Sequence, residues 1–97
     1  MEYKRKGLKL KAIEKAACKV LKLDPLLFHV DSQRGDIVMA KHYFSYIARE
    51  LTTFKLKEIG TYIGRNHSSV SHSVKTILNL EYDKRVLANL AAIRKLI

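Results

Sequence analysis

The sequence predicts an all-α fold, a compact bundle of about six helices, and three observations predict it. Apolar residues recur at helical spacing in successive segments of the chain. Helix breakers are scarce, with four glycines and one proline in 97 residues. The breakers and caps fall between the periodic segments, at Asp24-Pro25, at Asp31-Ser32-Gln33-Arg34-Gly35 and at Gly64-Arg65-Asn66. A chain of this length suits one domain, 1–97, with one modest core.

Residues 8–23 read as an amphipathic helix. Leu10, Ile13, Ala17, Val20 and Leu21 share one face. Lys11, Lys15, Lys19 and Lys22 share the other, either as a solvated stripe or as a phosphate-facing one. Asp24-Pro25 opens a short helix, with a capping carboxylate before proline at the first helical position. Leu26, Leu27 and Phe28 then supply apolar bulk. The loop 31–35 follows, and Asp36 is placed to cap the next helix. Residues 37–52 are apolar around most of the helix, with Ile37, Val38, Ala40, Tyr43, Phe44, Ile47, Ala48 and Leu51, so this is the central helix. Tyr43, Phe44 and Tyr46 could form a stacking platform for bases, but on so apolar a helix they are expected to pack the core or its rim. Lys41, His42 and Arg49 are expected to point outward from it.

A helix-turn-helix is predicted at 55–80. Its first helix runs 56–63 and buries Leu56, Ile59 and Ile63. Gly60 inside that helix costs about 1 kcal/mol relative to alanine, which suggests that another backbone approaches closely. Gly64 suits a left-handed helix end, and Asn66 is a good cap for the next helix. That helix, 67–80, has an inner stripe of Val70, Val74, Ile77 and Leu78. Its outer face carries Ser68, His72, Lys75 and Asn79, with Ser71 and Thr76 at the edges and no acid. Such a face suits the negatively charged groove of a nucleic acid. Residues 83–97 read as a last amphipathic helix, with Val86, Leu87, Leu90, Ile93, Leu96 and Ile97 closing the core.

Three linked blocks carry a family resemblance: Ala48-Arg49-Glu50-Leu51-Thr52, Leu56-Lys57-Glu58-Ile59-Gly60, and Arg65-Asn66-His67-Ser68-Ser69-Val70-Ser71-His72. Their order and spacing resemble the C-terminal DNA-binding domain of bacterial replication initiators of the DnaA family. The resemblance is strongest over 37–77 and looser over 12–97. It implies a helical domain related in its core to the Trp-repressor type, and sequence-specific binding of double-stranded DNA in replication-origin recognition. It implies that Asn66, His67, Ser68 and Ser69 read bases, with Lys57 at the groove edge. Gln33 and Arg34 would approach the minor groove, and Lys41, Arg49, Arg65, His72 and Lys75 would hold phosphates. Three departures stand out. The turn before Arg65 is one glycine shorter, Asn66 replaces the family's Asp, and Ser68 and Ser69 replace Thr. An aspartate only accepts hydrogen bonds and suits the cytosine amine. Asparagine also donates, so the base preference at this position should relax.

Composition narrows the function classes. The net charge of +10 favours a polyanionic partner. Cys18 is the only cysteine, so neither an internal disulfide nor a thiolate zinc site of the C-x-x-C kind can form, and a reducing cytoplasm is the expected setting. The resemblance implies a bacterium or its phage, and the nucleoid. No apolar run approaches the ~20 residues needed to cross a bilayer, and the Lys-rich start lacks the apolar segment of a secretory signal. Catalysis is not expected. Ser68, Ser69, Ser71 and Ser73 lie near His67 and His72, but no acidic group is there to orient a dyad. His67 and His72 fall roughly 140° apart around a helix and do not form a metal pair. The G-x-x-x-x-G-K-[ST] phosphate loop of an ATPase is missing, so no nucleotide chemistry is expected. Neither a cofactor nor a small-molecule substrate is expected. A monomer is the expected state. Two other readings fit the sequence: a transcriptional regulator or phage protein using the same domain, or a basic helical adaptor for an acidic protein.

Overall fold

In the computed structural model, which describes residues 9–80 and 82–97, the described chain forms six helices and no strand. They are α1 (Leu10–Leu21), α2 (Pro25–Phe28), α3 (Gly35–Leu51), α4 (Leu56–Ile63), α5 (His67–Asn79) and α6 (Lys84–Lys95). The first helix was expected from Leu8, which lies outside the described residues. None of these helices is long and apolar enough to cross a membrane.

Local chemistry sets the helix ends. Asp24 Oδ1 accepts the Leu26 N–H at 2.9 Å, with Pro25 at the first helical position of α2. Asn66 Oδ1 accepts the Ser69 N–H at 2.9 Å and opens α5. Asp83 Oδ1 accepts the Arg85 N–H at 2.8 Å and opens α6. Glu58 Oε1 accepts the Lys55 N–H at 2.7 Å at the start of α4. α1 and α4 end alike. In each, the residue past the helix is left-handed, Lys22 at φ 57° and Gly64 at φ 72°. The Leu23 N–H then reaches the Cys18 carbonyl at 2.9 Å, and the Arg65 N–H reaches the Gly60 carbonyl at 2.8 Å.

Asp36 does not cap α3, contrary to expectation. The helix begins at Gly35, two residues before the expected start, and Asp36 sits in its first turn, paired with Arg34. At the other end, the buried Thr52 hydroxyl donates to the Ala48 carbonyl at 2.6 Å and halts the helix.

α3 is the centre of the fold, packed by every other helix. Ile37, Ala40, Phe44, Ile47 and Ala48 on it are buried against Ile13, Phe28, Ile59, Val70, Ile77, Leu90 and Ile93. Tyr43 and Phe44 are core residues, and Phe44 stacks on Tyr62 with ring centroids 5.4 Å apart. Four expected core residues lie nearer the surface: Leu26 is 84% exposed, and Leu78, Leu87 and Leu96 are each close to half exposed. Val74 is only half-buried as well, so Val70, Ser73 and Ile77 form the inner stripe of α5.

Candidate nucleic-acid interface

α4 and α5 are joined by the three residues Gly64, Arg65 and Asn66 and pack on each other and on α3. The close approach expected at Gly60 is found in this turn. A Cβ there would collide with the Arg65 carbonyl oxygen and press on the Asn66 backbone. Gly60 therefore lets the turn fold back over α4 and fixes where α5 begins.

A polar knot braces the same helix from behind. The buried Glu14 carboxylate accepts the Tyr62 hydroxyl at 2.6 Å, and His29 Nε2 meets the same oxygen at 2.9 Å. Burial and this carboxylate push the Tyr62 phenol up, so it remains a donor. α1, the end of α2 and α4 are thus tied through one oxygen. The place of Glu14 between Leu10, Ile13, Ala17 and Cys18 on one helical face is the sequence signal for an inward carboxylate.

The outer face of α5 is exposed at His67, Ser68, His72, Lys75 and Asn79, with Ser69 and Ser71 half-buried. Asn66 is exposed at the head of this face, its oxygen spent on the cap. Its amide nitrogen makes no hydrogen bond among the described residues. No acid occurs between Glu58 and Glu81. Lys57 is exposed on the first turn of α4. Arg49 is exposed on the last turn of α3, seven residues beyond His42 and so within roughly 20° of it around the helix. Arg65 is half-buried beside α3, near enough for its charge to bear on Lys41 and His42. Three ion pairs occur among the described residues, and none engages Arg49, Lys57, Arg65 or Lys75.

Two expected contacts are placed differently. Lys41 does not point outward. It is 3 % exposed and its Nζ donates to the Val30 carbonyl at 2.8 Å, which closes the loop before α3. Desolvation and the Arg65 charge push its ammonium pKa down. Its long stem lies along core surface, and the nearest acceptor is a backbone oxygen inside the fold. Arg34 is exposed, but its guanidinium grips Asp36 through Nε at 2.7 Å and Nη2 at 2.8 Å. Gln33 is exposed beside it. Both stand at the N-terminal end of α3, about 22 Å along the helix from Arg49.

His42, also expected outside, turns to α5, where its Nδ1 meets the Ser73 hydroxyl at 2.8 Å. Burial, His72 and Arg65 push its pKa down. The unfolded chain therefore takes up this proton at a higher pH than the fold does. The stability His42 contributes is complete above the ordinary histidine value of about 6.5 and falls as the pH drops below it. Thermal unfolding at pH 7.5 and pH 5.5 should show a larger loss for the native chain than for His42→Asn. Equal losses would mean that His42 is not the responsible group.

These features define a helix-turn-helix domain whose second helix presents an exposed, acid-free face. Residues 10–77 match the family model described as bacterial dnaA protein helix-turn-helix, and the chain belongs to that family. It is 32% identical over 94 residues to the chromosomal replication initiator protein DnaA of Bacteroides thetaiotaomicron, covering 95% of this chain and 20% of that protein. It is 32% identical over 78 residues to the same-named protein of Chlorobaculum tepidum, covering 79% of this chain and 16% of that one. With the Deinococcus radiodurans protein the identity is 40% over 53 residues, 55% of this chain and 11% of the relative. The chain thus spans about a fifth of the length of the first two relatives.

Proposed function

We propose that this domain, 1–97, binds double-stranded DNA sequence-specifically, with the first turn of α5 in the major groove, as the origin-reading part of a replication initiator. The observation that carries the reading is the exposed face of α5, headed by Asn66 and free of acids. The relatives' names as replication initiators support it. In this reading Asn66, His67, Ser68 and Ser69 meet base edges, and Lys57 lies at the groove edge. Arg49, Arg65, His72 and Lys75 meet phosphates, while Lys41 is withdrawn from that set by its burial. The domain acts as a monomer in the bacterial cytoplasm, at the nucleoid, and has no catalytic role of its own.

His67→Ala and Ser68→Ala should each lower discrimination between target and random duplex by ~1–3 kcal/mol per lost base contact. Non-specific affinity should change little, because the phosphate contacts of Arg49, Arg65 and Lys75 are retained. A competition assay against random duplex measures this. Full discrimination retained in both variants would refute the placement of α5.

Gln33 and Arg34 approach the minor groove in the same reading, and Asp36 restrains Arg34 there. Asp36→Asn releases the guanidinium and removes a charge that repels phosphate. Affinity for A·T-rich duplex should rise roughly two- to fivefold, the scale of one exposed ion pair. The rise should be smaller on G·C-rich duplex, where the minor groove is wider. An unchanged affinity on both would take Arg34 out of the interface.

A further inference from the structure

The lysine face of α1 has no part in the surface described so far. Lys11, Lys15, Lys19 and Lys22 are all exposed, and none forms an ion pair among the described residues. The one carboxylate on the helix, Glu14, is turned inward and held by Tyr62 and His29. Like charges four apart on a helix repel, and Lys11–Lys15 and Lys15–Lys19 are two such pairs. A second cost sits at the helix end. The same closing motif uses Gly64 after α4 but Lys22 after α1, and a side chain in the left-handed conformation is strained where glycine is not. The lysine in that unfavourable position extends the stripe by another turn.

The neighbours of α3 show where this face points. His42 meets Ser73 of α5, Tyr43 meets Asn89 of α6, and Phe44 packs on Phe28 of α2 and Tyr62 of α4. α1 packs on α2, α3 and α6 and reaches Tyr62, so it occupies the sector between Tyr43 and Phe44. At 100° per residue the middle of that sector lies roughly 150° from His42. α1 buries its apolar half against the core, so its lysines point out on the side of the domain away from α5.

We infer that the lysine face of α1 is a second surface for the phosphate backbone of duplex DNA. A domain seated on one duplex through α5 then holds another duplex on its far side. The inference rests on the reading of α5 as the first DNA surface. Lysines four residues apart rise about 6 Å along the helix, so the stripe can follow the phosphates of one strand. A membrane-surface helix inserts large apolar side chains, whereas the only other exposed residue on α1 is Ala12. A protein partner needs an apolar anchor at the centre of its contact, and this face has none.

The test uses the full chain, short random duplexes of about one and a half helical turns, and the triple variant Lys11→Gln, Lys15→Gln, Lys19→Gln. A thermal melt followed by circular dichroism confirms that the variant folds. Sedimentation at low salt with duplex in excess should find one native chain carrying two duplexes and one variant chain carrying one. An immobilised duplex should capture a labelled second duplex at least tenfold less with the variant. A variant that still carries two, or a native chain that carries only one, overturns the inference and leaves the α5 reading standing. A native chain that carries none overturns both. Binding to phosphatidylserine-rich vesicles that the variant loses, with one duplex per native chain, gives the face to a membrane and overturns the proposal.

Discussion

Raising the salt concentration fourfold, from about 50 to about 200 mM, is expected to weaken binding of a duplex to the α5 surface about 100-fold. Each phosphate neutralised by a lysine or arginine releases condensed counterions, and each adds about −0.9 to the log–log slope. Arg49, Arg65, His72 and Lys75 form the phosphate set, and none has a carboxylate partner in the described ion pairs. Lys41 would have made a fifth, but its ammonium is bound to the Val30 carbonyl. Four contacts give a slope of roughly −3 to −4. The slope is measured by fluorescence titration on the Lys11, Lys15, Lys19 triple variant, which isolates this surface. Arg49→Ala should flatten it by about one unit and weaken all sequences alike. A slope near zero would sink the DNA reading.

Gly60→Ala is expected to lower the thermal midpoint by about 10 °C, the shift for roughly 2 kcal/mol in a domain of this size. Replacing a helical glycine by alanine elsewhere would gain about 1 kcal/mol. Here the new methyl meets a carbonyl oxygen of the backbone, which cannot swing aside as a flexible side chain would. Overpacking of this kind costs typically 1–3 kcal/mol and can exceed the gain. The obstructed atom belongs to Arg65, whose N–H also bonds the Gly60 carbonyl at 2.8 Å, so relief must shift the turn. That shift moves Asn66 and the first turn of α5, and discrimination between duplexes should fall with stability. Gly64→Ala provides the contrast. It meets no atom within 4 Å and suffers only its left-handed φ of 72°. A Gly60→Ala chain at least as stable as the native one would refute the role given to this close approach.

Much of the domain is legible in the sequence because its helix ends are local events. Asp24-Pro25, Gly64 and Asn66 act on backbone groups within a few residues, and α2 and α4 fall on the expected residues. The register of α5 is equally local. Val70 and Ile77 face inward, and Ser68, His72, Lys75 and Asn79 face out. Even the demand at Gly60 for a neighbouring backbone can be read, since a glycine inside a helix needs a reason.

The fate of individual polar side chains was decided elsewhere. Lys41, His42 and Glu14 each lie on a helix face whose neighbours come from distant parts of the chain. Val30, Ser73 and Tyr62 reach them only once α3, α5 and α4 have packed. Arg34 is paired with a residue only two positions away, yet that pairing also needs the helix start at Gly35 that places Asp36 in the first turn. Helical periodicity fixes which way a side chain leaves its own helix, and the sequence by itself determined that much, together with the caps and the helix-turn-helix register. Whether that direction ends in solvent, at a backbone carbonyl or at a carboxylate depends on what crosses in front of it. Only the tertiary structure decided this, because the crossing partners are set by the packing of whole helices.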